Sequence, residues 1–250
     1  LFFFFFFRMK KSDTTQYGID SILRNAFFYC FNILIYHVLL SLLYFCILFT
    51  VYMYASSYYE ILDPMIAAVQ NNVGDFQALS KSIADIKNSP NYQSFQMVLI
   101  STQVFLFPLQ VGLYKMYRKI DLGEKPTVVD LFSAYNGINF FLFASFYFFW
   151  MCLYSIGMMM IIPGVIWVYV TVFVAPLMFF LNKSSFESIK LSFNAVRNNF
   201  VYVFVAITVA IIVKFAGFLV FFIGGAFTFS FATAVIYSLY KNLFKEIEKG

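Results

Sequence analysis

Long runs without Asp, Glu, Lys or Arg dominate the chain: residues 25–59, 88–114 and 131–182 carry none, and residues 198–240 carry only Lys214. A helix crosses a hydrocarbon core of about 30 Å with roughly 20 apolar residues. The first two runs are long enough for one span each and the last two for two each, which predicts six spans, over residues 26–54, 95–114, 135–161, 165–181, 200–222 and 226–240. The last two runs are divided where Pro and Gly end helices, at Ile161-Ile162-Pro163-Gly164 and at Ile223-Gly224-Gly225. Both sites are expected to be tight turns at a membrane face. The fold class expected is all-α, a polytopic transmembrane helical bundle of six spans with short amphipathic interfacial helices.

The polar segments between the spans have patterns of their own. Residues 10–24 set Tyr17, Ile22 and Leu23 among Asp20 and Arg24, which suits a short helix at the interface. In the loop 55–94, Asp63-Pro64 reads as an N-cap followed by a first-turn proline. Further on, Phe76, Leu79, Ile83 and Ile86 recur at helical spacing opposite Lys81, Asp85 and Lys87. This loop is expected to be a small helical cap on the membrane surface. The connector 182–199 places Phe186, Ile189, Phe193 and Val196 on one face, predicting a surface helix over residues 184–196. The chain thus divides into an N-terminal segment 1–25, a membrane domain 26–240 and a tail 241–250.

Composition excludes a soluble fold: 62% of the 250 residues are hydrophobic, 12% are charged, and the mean hydropathy is +0.81. Positive charge is retained on the cytoplasmic side of short loops. Of the 17 Lys and Arg residues, all but Lys81, Lys87 and Lys214 fall in the termini and in the connectors 115–130 and 182–199. Both termini are therefore expected inside a cytoplasmic (inner) membrane, with the loop 55–94 outside. The net charge of +5 is then a topology signal rather than a nucleic-acid footprint, and membrane lipids are the expected partners. Tyr52, Tyr54, Tyr58 and Tyr59 on one side, and Tyr114, Tyr117, Tyr135, Tyr237 and Tyr240 on the other, are expected to form interfacial belts. Leu1 to Phe7 lacks a basic lead and a cleavage site, so it does not read as a signal peptide. Met9-Lys10-Lys11-Ser12 reads as the natural beginning, with residues 1–8 as upstream sequence.

Motifs for catalysis do not emerge. The chain has no Gly-x-Ser-x-Gly, no phosphate-binding glycine loop and no HExxH. Cys30, Cys46 and Cys152 show no metal-ligand spacing and read as small apolar core residues. His37, the sole histidine, has Ser41 at i+4 and reads as half of an interhelical hydrogen-bonding pair, with a catalytic role as the alternative. Gln96, Gln103 and Gln110 recur every seventh residue and either bond between helices or line a polar path. Ala226, Ser230, Ala234 and Ser238 form a small-residue stripe for close helix packing. Lys214 either snorkels to the interface or turns inward to Gln103, Tyr154 or carbonyls near Gly224. No cofactor and no metal are expected, and the candidate polar intramembrane residues are Lys214, His37 and Gln103. A weak parallel repeat relates Pro108-Leu109, Leu131-Phe132-Ser133 and Asn139-Phe140 to Pro176-Leu177, Leu191-Ser192-Phe193 and Asn199-Phe200.

Pro163-Gly164 followed by Pro176, then Glu187-Ser188, Ser192 and Asn199-Phe200, resembles the YciC-like bacterial integral membrane proteins, relatives of the membrane domain of some glycerophosphodiester phosphodiesterases. Gly112-Leu113-Tyr114, Gly123-Glu124 and Asp130-Leu131-Phe132 extend the likeness over roughly residues 112–205. The resemblance implies six spans in the cytoplasmic membrane and carries over no catalytic residue. The expectation is a non-enzymatic membrane protein that works through the envelope, lipids or partners. A small-molecule transporter or permease component is the alternative.

Overall fold

A computed structural model of the chain describes residues 18–219 and 221–244, among which there is no strand. The expectation about residues 1–8 lies outside the described residues. By contact the chain divides into one unit of residues 1–42 and 107–250 and another of residues 43–106.

Among the described residues, five helical segments are long and apolar enough to cross a membrane: Leu34–Tyr58 (α2), Pro90–Asp121 (α5), Ile138–Met158 (α7), Ile162–Leu181 and Phe200–Gly217. The expected first span is shorter than its apolar run. A separate helix, Ile19–Asn32 (α1), takes the first part of it, and α2 starts after Ile33. The amide of Asn32 donates to the Phe28 carbonyl at 2.7 Å. That side-chain bond competes with continuation of the helical ladder.

The smaller unit holds most of α2, the first half of α5, and between them Leu62–Asn71 (α3) and Phe76–Asn88 (α4). Both loop helices exist, but Asp63 does not cap the first. Ile61 stands at that position with no side-chain bond, and Asp63 lies in the first turn. The working cap is Asp75, whose carboxylate accepts the N–H of Gln77 and of Ala78 at 3.0 Å each, opening α4. Ala55, Ile61 and Phe95 form the buried centre, with Tyr59, Met65, Tyr92 and Leu99 against it.

In the larger unit, Val128–Leu131 (α6) and a 3₁₀ turn Ser133–Tyr135 precede α7. Gly112 of α5 lies so close to the Leu131 carbonyl that a Cβ there would overlap it. A turn separates the two segments as expected, but it lies at residues 159–161, with Ile161 at φ 59°, and Pro163-Gly164 already stand in the first turn of Ile162–Val170 (α8). A Cβ on Gly157 would come within 2.9 Å of Gly164 Cα, so glycine is what lets α7 and α8 close at the turn. The segment Ile162–Leu181 is broken after Val170 and resumes as Val174–Leu181 (α9).

The connector helix is Ser185–Asn198 (α10), capped by Ser184, whose hydroxyl accepts the Glu187 N–H. Its buried face is Ser188, Ser192 and Val196, while Phe186 and Phe193 are exposed. Ser192 faces inward, where it bonds to backbone freed at the α8–α9 break, and the exposed Phe186 and Phe193 lie on the face that the surface-helix reading groups.

The sixth expected span departs most from the pattern. Phe200–Leu219 (α11) is followed by two short helices, Phe221–Thr228 (α12) and Phe231–Leu243 (α13), and neither reaches spanning length. Helix α12 runs straight through Gly224-Gly225, where a turn was expected, and the break lies at Phe229-Ser230. The glycines serve packing instead: a Cβ on Gly217 would sit 2.7 Å from the Gly224 carbonyl.

Candidate functional site

In the larger unit, α1, the first residues of α2, the second half of α5 and α13 bring together buried polar groups that are far apart in sequence. Asp121 closes α5. Its carboxylate accepts the Tyr29 hydroxyl at 2.8 Å, the Tyr237 hydroxyl at 2.9 Å and the Lys241 ammonium at 2.6 Å. The carboxylate is 7% exposed and the lysine side chain 19%. An ion pair this far out of water holds only when its remaining lone pairs are bonded, and the two phenols supply those bonds. Lys241 also reaches the Tyr29 oxygen at 3.4 Å.

Next to this cluster lies His37. Its Nε2 is 3.0 Å from the Tyr117 hydroxyl, and its Nδ1 is 3.7 Å from Cys30 Sγ. Cys30 of α1 and His37 of α2, seven residues apart, meet across the break at Ile33. Ser41 is therefore not the partner of His37, and its buried hydroxyl has no hydrogen bond among the described residues. The rings of Tyr29, Tyr117 and Tyr237 pack at centroid distances of 5.1 to 5.5 Å and join the two clusters. Tyr114, Tyr117, Tyr237 and Tyr240 are each under 5% exposed, so they are core residues rather than a belt. Tyr52, Tyr54 and Tyr58 in the smaller unit are exposed as a belt requires.

A second carboxylate, Asp130, anchors α6. It binds Lys119 at 2.8 Å and Lys115 at 3.2 Å, and it accepts the Thr127 N–H at 2.8 Å. Desolvation pushes its carboxyl up, but the two ammonium groups and the Thr127 bonds outweigh that and hold it down at about 2.

At the α8–α9 break, Ser192 of α10 replaces the lost helical bonds. Its hydroxyl donates to the Val170 carbonyl and accepts the Phe173 N–H at 3.2 Å. The Trp150 indole N–H donates to Thr171 at 2.7 Å beside it.

The remaining candidate residues are dispersed. Lys214 of α11 is half-buried with its ammonium 5.0 Å from the Phe229 ring centroid, and it has no hydrogen-bond acceptor or carboxylate among the described residues. Gln103, in the smaller unit, is half-buried with no hydrogen bond among the described residues. Gln96 bonds along its own helix to Tyr92 at 2.9 Å, not across to another. The small-residue stripe is buried throughout, and Ser238 donates to the Ile22 carbonyl at 2.9 Å. Among the described residues no three His, Cys, Asp or Glu side chains converge as metal ligands.

Sequence reading singled out neither Asp121 nor its pairing with Lys241. The available signal was an acidic residue closing the basic end of a long apolar helix, a place that favours cations. The chain matches no family model, no curated protein and no solved structure.

Proposed function

We propose that this chain is a non-enzymatic, six-span protein of the bacterial inner membrane, similar to the YciC-like proteins, that works through contacts with lipids and partner proteins. In this reading α12 and α13 together make the sixth crossing, and both termini are cytoplasmic. The observation that carries it is the Asp121 cluster, whose polar groups are spent on one another, Asp121 on Tyr29, Tyr237 and Lys241, and the neighbouring His37 on Tyr117 and Cys30. Groups so engaged hold helices together and are not presented to a reactant. The test is gentle extraction from native membranes followed by native mass spectrometry. Retention of lipid or a partner at a fixed ratio supports the reading, and release of a bare, monodisperse chain counts against it.

The two helix breaks, at Thr171–Phe173 and Phe229–Ser230, favour a second reading as a transporter, since interrupted spans often line substrate sites. Reconstitution into liposomes separates the two. Solute flux or a solute-dependent current would establish transport, and tight vesicles under imposed gradients would remove it.

A further inference from the structure

Donors lie on both sides of the break between α12 and α13. Thr228, the last residue of α12, donates to the Lys214 carbonyl and to the Gly224 carbonyl, both at 3.2 Å. With Gly217 packed on Gly224, this draws the end of α12 against α11 at the level of Lys214. The next residue, Phe229, carries the Lys214 ammonium over its ring. Ser230 follows, opening the 13-residue helix α13 without a capping bond. Its hydroxyl, in a residue only 2% exposed, has no hydrogen-bond partner. The first N–H groups of a helix have no intrahelical acceptors, and its amino end carries partial positive charge.

An ammonium, an unpartnered hydroxyl and a helix amino end therefore flank one break, and no carboxylate stands beside them among the described residues. The complement of such a set is an oxyanion. Access is from the apolar surface: on α11, Ile212 is 60% and Phe215 64% exposed, and Phe227 on α12 is 43% exposed. From Lys214 to Leu219 at the end of α11 is five residues, roughly 7.5 Å of helix, which puts the ammonium within side-chain reach of the headgroup level.

We infer that Lys214, Ser230 and the amino end of α13 bind the phosphate of an anionic phospholipid, whose acyl chains lie over Ile212 and Phe215. The inference rests on the lipid-contact reading above and names the lipid chemistry. Cation–π contact with Phe229 orients the ammonium, and the phosphate supplies the counter-charge that the protein withholds.

The test uses the full chain in detergent with added phosphatidylglycerol, read by native mass spectrometry. Lys214→Met should lower the bound fraction about tenfold, as loss of a charge-assisted hydrogen bond does. Lys214→Arg should restore binding, Ser230→Ala should weaken it, and Lys190→Met on exposed α10 should leave it unchanged. Equal loss in Lys190→Met, or full retention in Lys214→Met, overturns the site. Competition by millimolar inorganic phosphate as effective as that by phosphatidylglycerol overturns the lipid assignment in favour of a small-anion site. A chain that transports solute yet loses phosphatidylglycerol with Lys214→Met keeps this site and refutes the non-transport reading. A chain that holds other lipids at a fixed ratio but shows no Lys214 dependence does the reverse.

Discussion

Asp121 shows how much a single side chain carries when its partners come from two other helices. Truncation to alanine removes the carboxylate that the Lys241 ammonium and two phenols share. Removing one member of a buried pair costs about 3–5 kcal/mol, whereas replacing both by apolar groups of similar size is often near neutral. Asp121→Ala should therefore lower the melting temperature sharply, and Asp121→Leu combined with Lys241→Met should recover most of the loss. Equal melting of single and double variants would refute the coupling. Asp130 makes a pH-dependent contribution. Its folded carboxyl lies at about 2 against an ordinary 3.8, so its stabilisation is complete above about pH 4 and is lost as pH falls toward 2. At pH 7, Asp130→Asn should cost about 2 kcal/mol, and in acid melts the gap to the native chain should close between pH 4 and 2.

At the scale of elements, interruptions are held in place by residues from other helices. Without the Ser192 hydroxyl, the Val170 carbonyl and the Phe173 N–H lose their partner. Ser192→Ala should cost about 1–3 kcal/mol. Amide exchange should rise at residues 171–174, and unchanged protection there would mean the break is self-supporting. This also marks what the sequence could and could not disclose. The charge-free runs and the turn just before Pro163-Gly164 were legible because solvation and backbone chemistry act locally. The connector helix was legible from its period, but not its packing face, which Ser188 and Ser192 decide. The breaks at Ile33 and Phe229-Ser230 left no such trace. Glycines at 224 and 225, read as a turn, proved to be a contact surface for Gly217, a distinction that depends on the neighbouring helix. The Asp121 cluster was least legible of all, since its bonds join residues 92 and 116 positions apart. His37 was correctly read as a hydrogen-bonding core residue, yet its partners are Tyr117 and Cys30 rather than Ser41.

For the molecule as a whole, orientation in the bilayer follows from the lopsided distribution of Lys and Arg. In a background with Cys46 and Cys152 replaced by alanine, an impermeant thiol reagent added outside should label a cysteine at Ser80 and spare one at Ser185. Labelling of Ser185 alone would invert the topology.

The ties between α1, α5 and α13 also bear on biosynthesis. Ile22 waits for Ser238, 216 residues later, and Asp121 waits for Tyr237 and Lys241. Until the ribosome has delivered α13, a nascent chain lacks the Tyr237 and Lys241 partners of Asp121 and the Ser238 partner of Ile22. Assembly of the cluster is thereby tied to the arrival of α13. A chain stalled before residue 237 would display to the membrane's proteases the groups that the finished protein conceals.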